Sequence, residues 1–382
     1  MFTIGVLLPG STLYPSIGMD FLQGIKAGFK FHQQTAPDIK VELISFGLKD
    51  DEIYAAAERL LLVNNADVLV AYAGDHHAEK LAPLCAAAGK LLLMTNGGAS
   101  YPFFKEKISH TIFHSFNDCL CAFLTGRYAA RQEGGHGGIL ATSFFDGGYT
   151  HTHAMSNAFM LAGGQIMHNY VSHYKKEEFN TDTLTTFIQD NPDTRKLLAI
   201  YSGDMARLFY EKMMPVQQEY NLQWYVSPMM FDRTPGDFAE PRPAAPDMCG
   251  YTNWLPELEN ETNQQFIQYF KTEHSKEANL FSMQGWESAL LVMQYLKIRQ
   301  DAAGTEAAID LLQAEKINSP RGELVLNEQR HIIGPVHFAS STGNLQVTIT
   351  DSITELQQVW AEMCAQIPTD AVSAWRNTYL CI

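Results

Sequence analysis

Between residues 3 and 228, short apolar runs alternate with longer helical stretches, and the alternation restarts once. Runs at 3–8, 41–46, 68–73, 91–95 and 111–114 read as strands. Stretches at 16–33, 50–64 and 76–88 between them read as helices. A period of about thirty residues is that of right-handed βαβ units feeding a parallel sheet. A second series follows: strands at 138–143, 165–171, 197–201 and 223–228, with helices near 117–131, 150–162, 182–189 and 204–220. The fold class expected is therefore α/β, with two successive Rossmann-like lobes. A chain of 382 residues accommodates two domains, at roughly 100–200 residues each.

Beyond this series the pattern changes. A Pro-rich, irregular stretch runs from Pro235 to Pro256, and helices return at 261–271, 281–299 and 305–314. The segment "SPRGELVLNEQRHIIGPVHF" carries two β-like stretches around a polar turn, and a strand near 345–350 and a helix near 353–363 follow.

A net charge of −15 opposes nucleic-acid binding, which runs on Lys and Arg neutralising phosphate. No run of about 18 apolar residues is present to span a membrane. No basic, apolar leader opens the chain, whose first strand begins near residue 2. The six cysteines form no C-x-x-C pair and read as small buried hydrophobes, although one long-range disulfide stays compatible with them.

The first βα turn, "PGSTLYPSIG", is where an open α/β sheet places its ligand. It lacks G-x-G-x-x-G, and no G-x-x-x-x-G-K-[ST] occurs anywhere, which argues against a nucleotide cofactor. The turn offers hydroxyls, backbone N–H groups and the Tyr14 ring, with Ser16 placed to cap the next helix. No G-x-S-x-G elbow is present, and spacing alone gives no catalytic carboxylate pair, so no enzyme activity is expected. His76-His77 and His151-x-His153 diverge if they lie on helices, so no metal site is expected.

Five segments together resemble the type I solute-binding proteins of the branched-chain amino acid ABC-importer family. They are "IGVLLPGSTLYPSIGMDFLQGIKAGF", "ADVLVAYAGDHHAEKLAPLCAAAGKLLLMTNGGA", "IFHSFNDCLCAFLTGRYAARQEGG", "MQGWESALLVMQYL" and "INSPRGELVLNEQRHIIGPVHF". The resemblance covers nearly the whole chain. It implies type I periplasmic binding protein architecture, with parallel sheets in two lobes, 1–116 plus 252–335 and 117–251 plus 336–382, joined by three crossover strands. It implies a receptor that closes on a small ligand and delivers it to ABC permease subunits, with neither cofactor nor membrane span, in the periplasm or outside the cell. The same fold also serves cytoplasmic amide-type sensors, which lack a leader.

The resemblance also implies a ligand site. Lobe one would contribute Ser11, Tyr14, Asp75, His76, Asn96 and Gly97, with Phe281 and Gln284 reaching in ahead of a late helix. Lobe two would contribute Tyr149, Asp204, Met229 and Phe231. Asp75 stands where amino-acid receptors place a hydroxyl, and Gly98 where they place a Thr. Met229 and Met230 stand where such receptors keep an acid for the ammonium. An aspartate facing a carboxylate in a closed cleft is repulsive, so the cleft is expected to suit a neutral or cationic amino acid, amide or small aromatic ligand better than an anion.

Overall fold

The computed structural model describes residues 2–32, 37–234, 246–343, 346–368 and 375–380. Cys381 and the first half of the Pro-rich stretch that opens at Pro235 lie outside them. Five parallel strands begin the chain: β1 (Thr3–Leu8), β2 (Asp38–Leu43), β3 (Val68–Tyr72), β4 (Leu91–Asn96) and β5 (Thr111–Ser115). Between them run α1 (Ile17–Phe31), α2 (Asp50–Glu58) and α3 (Ala78–Ala88). The helical pattern expected over 50–64 is α-helical only to Glu58 and continues as a π-turn, Arg59–Val63. β3 and, beyond Thr3, β1 are continuous buried runs because both faces of the sheet are covered by helices.

After β5 the chain crosses into α4 (Asp118–Arg131), through Asn117 in the left-handed region (φ 57°). The second series is β6 (Gly137–Thr142), α5 (His151–Leu161), β7 (Gln165–Val171), α6 (Asp182–Asp190), β8 (Lys196–Ile200), α7 (Gly203–Tyr220) and β9 (Gln223–Val226). A strand the sequence pattern concealed follows, β10 (Met248–Thr252), inside the stretch expected to be irregular. It pairs parallel with β9 and antiparallel with a later strand. The chain then returns through α8 (Glu261–His274), α9 (Leu280–Arg299) and α10 (Thr305–Leu312) to β11 (Lys316–Ser319), β12 (Gly322–Leu326) and β13 (His331–Ile333). It leaves again into β14 (Val336–Thr342), β15 (Gln346–Ile353) and α11 (Gln357–Ala365).

Among the described residues the result is two sheets. One has eight strands in the order β11-β12-β13-β5-β4-β3-β1-β2, the other seven in the order β15-β14-β10-β9-β8-β6-β7. Both sheets are mostly parallel, as expected, and the late hairpins add antiparallel strands at one edge of each. Short hairpin loops cannot return a strand in parallel, which needs a crossover.

α1 lies directly on α9. A Cβ at Gly24 would stand 2.0 Å from the Ser282 carbonyl oxygen, so only glycine permits this approach. The crossing region holds a buried ionic network. Glu287 on α9 accepts from Arg321 Nε (2.9 Å) and pairs with His114 Nε2 (2.8 Å). Arg321 Nη1 donates to Asn117 Oδ1 (3.3 Å), and Asn117 Nδ2 donates to the Ile332 carbonyl (3.2 Å). The first and third crossings are thereby tied together. Burial raises the Glu287 carboxyl, but Arg321 and His114 outweigh it and hold the group below its ordinary range.

Candidate functional site: the cleft between the two sheets

The loops that follow β1, β3, β4, β6 and β8 at their carboxyl ends converge between the sheets, where ligands of open α/β folds sit. Residues 375–380 lie among them. Tyr379 is fully buried. Its hydroxyl donates to Asp118 Oδ2 (2.5 Å), its N–H donates to the Tyr149 hydroxyl (3.0 Å), and its carbonyl accepts from Ser11 Oγ (2.6 Å). Its ring meets Tyr149 edge-on at 5.8 Å and Tyr14 edge-on at 6.1 Å. Asn377 Oδ1 accepts from the Gly74 N–H (3.1 Å), and Thr378 Oγ1 from the Gly97 N–H (3.0 Å). Trp375 covers Gly148, where a Cβ would stand 1.5 Å from the indole.

Of the residues expected at the site, Ser11, Tyr14, Gly97 and Tyr149 all touch this segment. Phe281 packs on Tyr14 at 4.9 Å, and Met229 belongs to the same buried cluster. Ser11 Oγ also accepts the N–H groups of Leu13 and Tyr14, which shapes the first turn. The Tyr14 hydroxyl accepts from the Gly203 N–H (2.9 Å) on the other side of the cleft.

Asp75, His76 and Asn96 sit to one side, on the wall of a cavity of about 250 Å³ that also reaches Thr378 and Arg376. Asp75 accepts from Asn96 Nδ2 (2.6 Å), and Asn96 Oδ1 accepts from the Gly98 N–H (2.8 Å). Gln284 is fully buried behind them and donates to the Asn96 carbonyl (2.8 Å). Asp204 pairs with Lys176 (2.5 Å) at the start of α7. Phe231 stands apart: it lines a separate cavity of about 590 Å³ beside the second crossing, with Trp254 and Leu280.

Three details differ from sequence expectation. Ser16 does not cap α1; its hydroxyl donates to Asp20 (2.7 Å). His76 and His77 do not diverge, because they lie on a 3₁₀ turn (Asp75–His77) and their rings are 3.9 Å apart. With Asp50 they form a cluster whose nitrogen and oxygen atoms lie within 4.8 Å of one another, and His77 is engaged there with the Gly47 carbonyl and Asp50. Third, Asp118 and residues 375–380 were not singled out from the sequence. Asp118 reads as an ordinary first-turn acid of α4, and "WRNTYL" has no period to reveal it.

The electrostatics of the cleft are acidic. Burial pushes the Asp118 carboxyl up to about 7, against the opposing hydrogen bonds from Tyr379 and Asn253. Burial likewise raises Asp75 to about 6 despite Asn96, and Asp146 to about 6 despite Ser143 and Ser202. His76 is lowered to about 4, by burial first and then by His77 and Arg376. Such groups bunched in a cleft mark a functional site.

The fold and cleft define a two-lobed binding protein. The family model described as "Periplasmic binding protein" matches residues 2–344, and the chain belongs to that family. Comparison with curated proteins gives no match. Among solved structures, a solute binding protein of an ABC transporter from Rhodopseudomonas palustris, in complex with 3,4-dihydroxy benzoic acid, is 16% identical (TM-score 0.72; 92% of this chain, 97% of that one). An ABC transporter substrate-binding protein from Sphaerobacter thermophilus is 15% identical (TM-score 0.76; 93% and 98%). A leucine binding protein from Thermotoga maritima is 14% identical (TM-score 0.66; 93% and 99%). At these identities the likeness speaks for the fold.

Proposed function

We propose that this chain is the solute-binding receptor of an ABC importer, working in the periplasm or outside the cell. It closes its two lobes, 1–116 plus 252–335 and 117–251 plus 336–382, on one small molecule and presents it to permease subunits. The observation that carries this reading is the convergence of loops from both sheets on one buried, aromatic-walled, hydrogen-bonding space. The family and the substrate-binding neighbours support it, and the site serves binding rather than chemistry. Ser11, Tyr14, Asp75, His76, Asn96, Gly97, Tyr149, Asp204, Met229, Phe281 and Gln284 are its proposed lining, with Phe231 in the separate cavity beside the second crossing.

A second reading is a cytoplasmic small-ligand sensor on the same fold. It is favoured by the free thiols of all five described cysteines, since disulfides are the mark of oxidising compartments. A thermal-shift screen of amino acids, amides and aromatic compounds, followed by small-angle scattering on the hits, tests the receptor. A ligand at a hundredfold excess over Kd stabilises the native state by about 2.7 kcal/mol, and closure shrinks the molecule. A tight ligand that binds with no compaction would overturn hinge closure.

A further inference from the structure

Residues 375–380 occupy the cleft as a ligand would. The backbone of Tyr379 is gripped from both sides, by Ser11 of the first βα turn and by Tyr149 of the loop after β6. Its ring fills space that Gly97 leaves open. A Cβ at Gly97 would stand 2.3 Å from it, and the neighbouring Trp375 occupies the place of a Cβ at Gly148. Tyr379 also holds a left-handed φ of 62°, unusual for a bulky residue, and such conformations persist where surrounding contacts over-determine them. The fit is therefore specific to an aromatic ring at this point.

The chemistry that ring meets is specific too. Its edges face Tyr14 and Tyr149, and its hydroxyl ends on a carboxyl buried at the head of α4, itself held by Asn253 Nδ2 (2.8 Å). An occupant of this position needs an aromatic body and a terminal O–H donor, because Asn253 serves Asp118 Oδ1 and an acceptor at the ring position would leave Oδ2 without its donor. Two further acids, Asp75 and Asp146, flank the space. Residues 377–379 bond to Gly74, Gly47, Gly97, Ser11, Tyr149 and Asp118, partners that bring no cation to the ring. A carboxylate-bearing ring would enter against three buried acids.

From this we infer that the cleft takes an uncharged phenol, and that the chain's own Tyr379 holds the place of that phenol until the solute displaces residues 375–380. The inference rests on the receptor reading and adds to it the class of solute and an internal competitor.

The test is calorimetry on the full-length chain and its Tyr379→Ala and Tyr379→Phe variants, with 4-methylphenol, 4-methylanisole and 4-hydroxybenzoate as probes. Hydrogen exchange is read on the peptide covering 375–380. The expected result is at least tenfold tighter binding of 4-methylphenol by Tyr379→Ala than by the unsubstituted chain. Tyr379→Phe, which keeps the ring and loses its bond to Asp118, should fall between them. In Tyr379→Ala the anisole and the hydroxybenzoate should each bind at least tenfold more weakly than 4-methylphenol. Adding 4-methylphenol to the unsubstituted chain should speed exchange across 375–380. Equal phenol affinity in all three chains, with exchange unchanged, would overturn the competition. Tighter binding of hydroxybenzoate, or no binding of 4-methylphenol to any of the three, would overturn the phenol. If a non-phenolic solute from the wider screen binds and compacts the protein, the receptor reading stands while this inference falls. If no solute of any class binds, both fall.

Discussion

The Tyr379 hydroxyl donates to Asp118 Oδ2 across 2.5 Å, joining the last described segment of the chain to the first residue of α4, 261 positions earlier. That bond places a titrating acid at the centre of the cleft and gives the molecule a pH signature. Asp118 in the folded protein titrates near 7, whereas an unfolded aspartate titrates near 3.9. The folded state therefore holds the proton more tightly. Stability from this group is fully present below about pH 4 and is lost as pH rises through 7. Asp75 and Asp146, both near 6, act in the same sense. His76, His151 and His331, all lowered by burial, act oppositely below about pH 6.5. Comparison with Asp118→Asn isolates the one group. Between pH 5 and 8 the melting temperature of the unsubstituted chain should fall relative to the variant, and parallel profiles would contradict the assignment.

The buried Glu287–Arg321–His114 network gives a second prediction. Removing one partner of a buried ion pair leaves the other uncompensated, at a cost of about 3–5 kcal/mol. Glu287→Ala should lose stability on that scale in denaturant melts. A loss below about 1 kcal/mol, the range of exposed pairs, would show that water replaces the carboxylate there.

A third concerns the lobes. The Gly203 N–H donates to the Tyr14 hydroxyl across the cleft. Tyr14→Phe keeps the ring contact with Phe281 and leaves a buried donor unpaired, at about 1–3 kcal/mol. Because that bond spans the cleft, the variant should show a larger radius of gyration without ligand. An unchanged radius would place the bond outside the closure equilibrium.

Leucine, isoleucine and valine should bind poorly. Asp75, proposed to line the site, would offer a carboxylate rather than a hydroxyl to the ligand's carboxylate, and its oxygen is already committed to Asn96. Met229, on the opposite wall, is buried at 1% exposure and offers no charge to an ammonium. Each lost hydrogen bond to a charged group costs about 1.5–3 kcal/mol, and each 1.4 kcal/mol is a factor of about ten in Kd. Sub-micromolar affinity for any of the three, by calorimetry, would contradict this.

Much of the fold was legible because fully buried parallel strands are continuous apolar runs. The run at 3–8 is β1 residue for residue. β10 was not legible: it lies in Pro-rich sequence, and its pairing with β9 and β14 is set by partners far away in the chain. The antiparallel edges likewise follow from hairpins whose sheet membership no local pattern encodes. At the cleft, Ser11 and Tyr14 could be named from the turn after the first strand, and Gly97 and Tyr149 from the family resemblance. Asp118 and Tyr379 could not, since their roles exist only once the last segment folds between the sheets.

The most direct measurement is a crystal structure of the full-length protein grown with a saturating solute from the screen. The solute should lie between Tyr14 and Tyr149 with its polar end at Asp118, and Tyr379 should be gone from that position. A structure with Tyr379 still on Asp118 and the solute bound elsewhere would contradict the cleft as the receptor site.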